Sequence, residues 1–214
     1  MKKLGLIALL LAFVCQLQAQ DKTYQDDMQQ HIAQLDTIMQ VEDMQRVANY
    51  FEEVGKTQIN EWLPPYYAAY SYINLAYMIG KKSTDADTYL RLADAFLQKA
   101  DALSPDNSEI YVLKAYCHQA KIAVSPDDRQ EKQGDIAGTL LDQAEDLNPE
   151  NPRIYYLIGQ SLLFSPPEWG GGKEQACPFV KKAAEKFTTF QLESPLHPNW
   201  GRNGVEVYKM MCEQ

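Results

Sequence analysis

Three glycines beside a lysine, in "SPPEWGGGKEQA" (Ser165 to Ala176), have the composition of a phosphate-cradling loop, where bare backbone amides and an ammonium group hold an anion. The spacing is wrong for it. Such a loop needs Ser or Thr after the lysine and a glycine five residues before its last one; Glu174 and Pro167 stand at those sites. A weaker reading survives, in which the amides at the start of the following helix bind an anion. The architectural reading has Pro166 and Pro167 end one helix, Trp169 plug an apolar gap, and the glycines supply backbone shapes that other residues resist. "HPNWG", His197 to Gly201, is expected to do the same for the last helix. His31, His118 and His197 stand far apart. Cys117 and His118 are neighbours whose side chains diverge by about 100° around a helix, so metal-ligand spacing is missing. The chain has no nucleophile elbow and no His-Glu-x-x-His segment. Carboxylate pairs such as Asp127 and Asp128 have the character of a solvated acidic surface. The expectation is a protein with no catalytic residues, no metal and no cofactor.

The start of the chain joins Lys2 and Lys3 to an apolar run from Leu4 to Val14 and a small residue at Ala19, the pattern of a secretory signal peptide over residues 1–19. A lipoprotein reading would acylate Cys15, but Phe13 and Val14 before it are bulkier than that cleavage favours. The apolar run falls short of the ~20 residues of a membrane-spanning helix, and no later stretch approaches that length. Export to the periplasm or beyond the cell follows. Losing the leader removes Lys2, Lys3 and no acid, moving the formal charge from −9 to −11. Such acidity argues against nucleic acid and anionic membranes as partners. Cys117, Cys177 and Cys212 then remain, an odd number in an oxidising compartment. Cys177 with Cys212 is the favoured pair; the alternative is three small buried apolar residues.

The elements come from an internal repeat. "LADAFLQKADALSPDNSEIYVLKAY" aligns without a gap on "IAGTLLDQAEDLNPENPRIYYLIGQ", so that Ala93, Leu97, Ala100, Leu103, Pro105, Asn107 and Tyr111 precede Ala137, Leu141, Ala144, Leu147, Pro149, Asn151 and Tyr155 by forty-four residues. A third copy, with Ala176, Val180 and Ala183, follows thirty-nine residues later. Each copy puts a narrow stripe of small and large apolar residues on one helix, where alanines allow close approach of a neighbour. The proline then stops the helix. Asp106 or Asn107, and Asn151, cap the next one, with Pro152 in its first turn. The spacing predicts nine helices: Thr23 to Met39, Val41 to Lys56, Glu61 to Ile79, Asp85 to Leu103, Ser108 to Val124, Asp128 to Leu147, Pro152 to Phe164, Lys173 to Phe190, and about Gly204 to Cys212. Residues 20–60 form a leading pair, 61–190 three repeat-like pairs, and 191–214 a loop and closing helix.

The spacing resembles the tetratricopeptide repeat family. Tyr155, Ile158, Gly159 and Leu162, and Tyr72, Leu75, Ala76 and Ile79, fit its first-helix pattern; Ala93, Leu97, Ala100 and Pro105, and Ala137, Leu141, Ala144 and Pro149, fit its second. Lys114 and His118 depart from it, and the period exceeds the family's usual ~34 residues. The glycine step is similar to one in exported bacterial tetratricopeptide-like proteins. The resemblance implies an all-α, right-handed superhelix of antiparallel helix pairs. It also implies a concave groove lined by Tyr70, Tyr77, Glu109, Tyr116, Gln119, Arg153, Tyr156 and Gln160, while Tyr72, Tyr111 and Tyr155 fall at packing positions. In that groove tyrosines would present rigid faces to a protein or peptide partner, with Arg153 as anchor for a carboxylate. The alternative is a carrier of a small molecule or lipid, with an aromatic cavity between the helices.

Overall fold

Asn107 and Asn151 turn the chain as their sequence settings predict. The Asn107 side chain accepts a hydrogen bond from the Glu109 amide at 2.9 Å, and Asn151 accepts from the Arg153 amide at 3.1 Å, each capping a new helix. Asp106 sits just before, in the left-handed region at φ 55°. Pro152 takes the first-turn site where its missing amide costs nothing. Ser83 caps the helix after the "GKKSTD" loop in the same way.

A computed structural model describes residues 22–81 and 83–213. The expected leader, residues 1–19, lies outside them. Nine α-helices run through the described residues: α1 (22–34), α2 (Val41–Thr57), α3 (Leu63–Ile79), α4 (Thr84–Leu103), α5 (Ser108–Val124), α6 (Pro126–Leu147), α7 (Pro152–Phe164), α8 (Lys173–Thr189) and α9 (Arg202–Glu213). Among the described residues there is no strand, and no helix is long and apolar enough to cross a membrane. The expected bounds are met to within two residues, except at the end of the first helix. The first helix tightens into a 3-10 turn at Leu35–Thr37 and stops short of Met39. α6 starts two residues early because Pro126 opens it.

Each helix from α2 onward packs against the next, and α3, α5 and α7 also touch one another in that order, forming an inner row. The alanine stripes are the seams. Ala93, Leu97 and Ala100 on α4, Ala137, Leu141 and Ala144 on α6, and Ala176, Val180 and Ala183 on α8 are all buried. At Gly159 a Cβ would come 2.8 Å from the Val180 side chain, so α7 and α8 approach as closely as they do only because that atom is missing. α3 is apolar nearly all round and sits innermost, the leading pair covering it through Met28, Met44, Val47 and Phe51. Cys177 on α8 and Cys212 on α9 form a disulfide, with Cα atoms 5.7 Å apart; Cys117 stays free and buried.

Burial pushes the hydroxyls of Tyr66, Tyr67 and Tyr116 well above their ordinary value of 10.0. A raised folded-state pKa stabilises the fold below the unfolded pKa, and that contribution is lost as pH rises through the folded one. Stability should therefore fall above pH 10. In an alkaline titration, tyrosinate absorbance for these residues should appear together with loss of the helical circular dichroism.

Candidate functional site

The two formally charged members of the expected groove are in the interior. Arg153, at the start of α7, is fully buried, and Glu109, at the start of α5, is 4% exposed. Arg153 grips Glu109 with two hydrogen bonds, the Nε donating to Oε2 at 2.7 Å and Nη2 donating to Oε1. His197 Nε2 lies 3.7 Å from the same carboxylate. Burial works to raise the Glu109 carboxyl, but the Arg153 charge, the hydrogen bonds from Arg153 and the nearby His197 imidazole outweigh it and hold its pKa below the ordinary value. Phe190 and Trp200 cover the guanidinium, 5.0 and 5.9 Å away. The expected role of Arg153 as anchor for a partner's carboxylate is thus replaced by an internal one.

The segment that covers Arg153 also fills the face expected to receive a peptide. After α8 the chain crosses the inner row, burying Leu196, His197 and Trp200. Tyr67 donates its hydroxyl proton to the Leu196 carbonyl at 2.8 Å, and the Trp200 indole donates to the Tyr66 hydroxyl at 2.8 Å. Trp200 then stacks on Tyr70 (5.2 Å) and Tyr116 (5.5 Å), while Tyr77 stacks on Tyr116 (5.3 Å). Tyr156 meets Trp200 edge-on at 73°. Tyr70, Tyr77, Tyr116 and Tyr156 do come together, around a tryptophan from outside the repeats. They border a cleft of about 410 Å³ between the 3-10 turn at Leu35–Thr37, the second half of α3 and the start of α9.

A second, larger groove of about 910 Å³ lies between α5, the start of α6 and the end of α7. Tyr77, Gln119 and Gln160 belong to it, with Ile122, Ala123, Phe164 and Trp169. The Gln160 carboxamide donates to the Tyr208 hydroxyl at 2.8 Å and that of Gln119 to the Leu157 carbonyl at 3.2 Å, yet the oxygen of each is buried without a partner. Phe164 and Trp169 are 64% and 54% exposed, so Trp169 does not plug a gap between helices. The 3-10 turn Pro167–Trp169 and the left-handed Gly170 carry its ring outward. The glycines are architectural as expected: a Cβ on Gly171 would collide with the Ser165 carbonyl, and the Gly172 amide donates to Leu162 at 2.9 Å. Charges at this groove are Asp127, Asp128, Glu131 and Glu168 against Lys81.

Sequence reasoning missed Trp200, Phe164 and Asp36 as members of these two cavities, since none lies on a repeat position that faces the inner row. The lone tryptophan in "HPNWG" was the available signal for the first of them. No family model and no curated protein matches the chain. Among solved structures it is similar to the HusA haemophore from Porphyromonas gingivalis, at 30% sequence identity and a TM-score of 0.78, over 88% of this chain and 92% of that one.

Proposed function

Because the chain belongs to the family of the HusA haemophore, we propose that it is an exported, non-enzymatic carrier of a flat tetrapyrrole of the haem class, held in the groove between α5, α6 and α7. The observation that carries this reading is the pair of large rings, Phe164 and Trp169, exposed at the edge of that groove. Packing gives no reason to leave them in water, and a planar aromatic ligand would cover both. The volume, about 910 Å³, lies within the range of small-molecule sites. The Cys177–Cys212 disulfide supports an oxidising compartment. A peptide adaptor is less well supported, because the chain's own segment from Leu196 to Trp200 lies on the inner row.

The groove also suggests how such a ligand would lie. Its anionic side groups would turn toward Lys81 and away from Asp127, Asp128, Glu131 and Glu168. The lining residues include no histidine, cysteine or methionine, so retention would rest on ring stacking rather than on axial ligation by those groups.

The test is a haemin titration of the chain lacking residues 1–19, followed by the Soret band. We expect saturation at one ligand per chain, with iron-free protoporphyrin binding to a comparable extent. Phe164→Ala combined with Trp169→Ala should weaken binding by about 10- to 100-fold, two lost ring contacts at ~0.5–1.5 kcal/mol each. Helical circular dichroism should stay unchanged. A wild type that does not saturate would end the carrier reading; undiminished binding by the double variant would end the assignment to this groove.

A further inference from the structure

The bridge between Cys177 and Cys212 stands behind the groove at both of its ends. Cys177 follows Gly172 by five residues, and Gly172 closes the segment that carries Trp169 and opens α8. Cys212 lies about one helical turn after Tyr208 on α9. Tyr208 reaches α7: its ring meets Phe164 edge-on with centroids 5.7 Å apart, and its hydroxyl accepts the Gln160 carboxamide at 2.8 Å. Phe164, Gln160 and Trp169 all border the groove. The start of α9 is seated independently, since Gly204 closes on Tyr156 so tightly that a Cβ there would collide with the Tyr156 hydroxyl. Farther along, Val207 and Met210 face water. A helix of 12 residues is marginal in water by itself, so the part of α9 beyond Val205 keeps its place through Tyr208 and the bridge.

Both cysteines are half-buried, within reach of a small thiol. A dithiol opens such a bridge in two exchanges. Its first thiolate attacks one sulfur to give a mixed disulfide, and the other cysteine leaves as a thiolate and takes up a proton. Its second thiolate then displaces the remaining protein sulfur, which is protonated in turn, so the reagent ends as a disulfide and its two electrons reside on two cysteine thiols. For the carrier proposed above, on which this step rests, we propose that the Cys177–Cys212 bridge is a redox switch on the groove. Closed, it holds Tyr208 against Phe164 and Gln160, and the tetrapyrrole is retained. Opened by a dithiol, it frees the second half of α9, the end of α7 loses its support, and the ligand is released.

Iron-free protoporphyrin, which has no metal for a dithiol to reduce, is titrated by fluorescence into the chain lacking residues 1–19, oxidised and in dithiothreitol. Reduction should weaken binding about tenfold, through loss of one ring contact and one hydrogen bond behind the groove. Cys177→Ala combined with Cys212→Ala should bind as the reduced wild type does and ignore dithiothreitol. Tyr208→Ala keeps the bridge and should show the same weakened binding, oxidised or reduced. Hydrogen exchange without ligand reads the coupling separately. On reduction, the amides of Ser165 and Gly172, each bonded at 2.9 Å to a carbonyl of α7, should exchange at least about tenfold faster, as should those of residues 208–213. Binding unchanged by reduction, or Tyr208→Ala binding as tightly as the oxidised wild type, would overturn the switch. An oxidised wild type that takes no protoporphyrin would end the carrier reading, and exchange would then decide the rest: acceleration confined to residues 208–213 would sever bridge from groove.

Discussion

Arg153→Ala should lower the free energy of unfolding by about 3–5 kcal/mol, the cost of stranding one charge of a buried pair. The Glu109 carboxylate, 4% exposed, would keep its desolvation penalty and lose both hydrogen bonds from Arg153. Arg153→Lys should recover only part of the loss, since an ammonium group cannot span both oxygens in the way a planar guanidinium does. Replacing both partners, as Glu109→Leu with Arg153→Met, should be far milder than Arg153→Ala alone, because neither charge is then left in the interior. Urea unfolding of the four proteins gives the comparison. Acid acts on the same pair. Glu109 has a folded pKa below its ordinary value of 4.5, so its contribution is complete above that value and drains away as pH falls through the lower folded one. The wild type should lose stability on this account below about pH 4, and the double replacement should lose less over the same range. Equal stability of Arg153→Ala and wild type would show that the pair is not sealed from water.

Cys212→Ser should cost ~3–4 kcal/mol on the chain-entropy account, because the bridge to Cys177 closes a loop of 35 residues. Reduction of the wild type should reproduce the shift in its urea midpoint. α9 depends on this tether, since it packs on α8 and buries only Val205 fully. Its other fastenings are local: Gln160 donates to Tyr208, and Tyr208 stacks on Tyr156 at 5.4 Å. Exchange with Cys117 should not confuse the measurement. That thiol is buried beside Asp94, and desolvation pushes its pKa far up, so little reactive thiolate exists. A variant as stable as the wild type would mean that α9 is held by packing alone.

The architecture was legible because its signals are local and repeated. A proline after an alanine stripe and an asparagine two residues after that proline settle where helices stop and start, whatever the rest of the chain does. The tyrosines of the inner row were legible too, from their register on α3, α5 and α7. Exposure was not. Glu109 and Arg153 sit at positions that would face an open concave surface in a plain repeat stack. They are internal because a segment from outside the repeats, Leu196 to Trp200, lies over that surface. Such a segment has no period, and its docking is decided by single contacts such as the Trp200 indole on Tyr66. Trp169 failed for a related reason: a tryptophan between prolines and glycines looks like a plug, but the direction of its ring depends on the left-handed turn at Gly170.

The partners of the buried pair stand forty-four residues apart, so they hold the same seat in successive copies of the motif. A faithfully copied chain would set two acids or two bases against each other there, out of reach of water. Opposite signs are what allow both seats to be filled, and that makes the first and second copies non-interchangeable. Duplicating either one would juxtapose like charges at the new junction, so this array cannot lengthen by copying its own units as a uniform solenoid can.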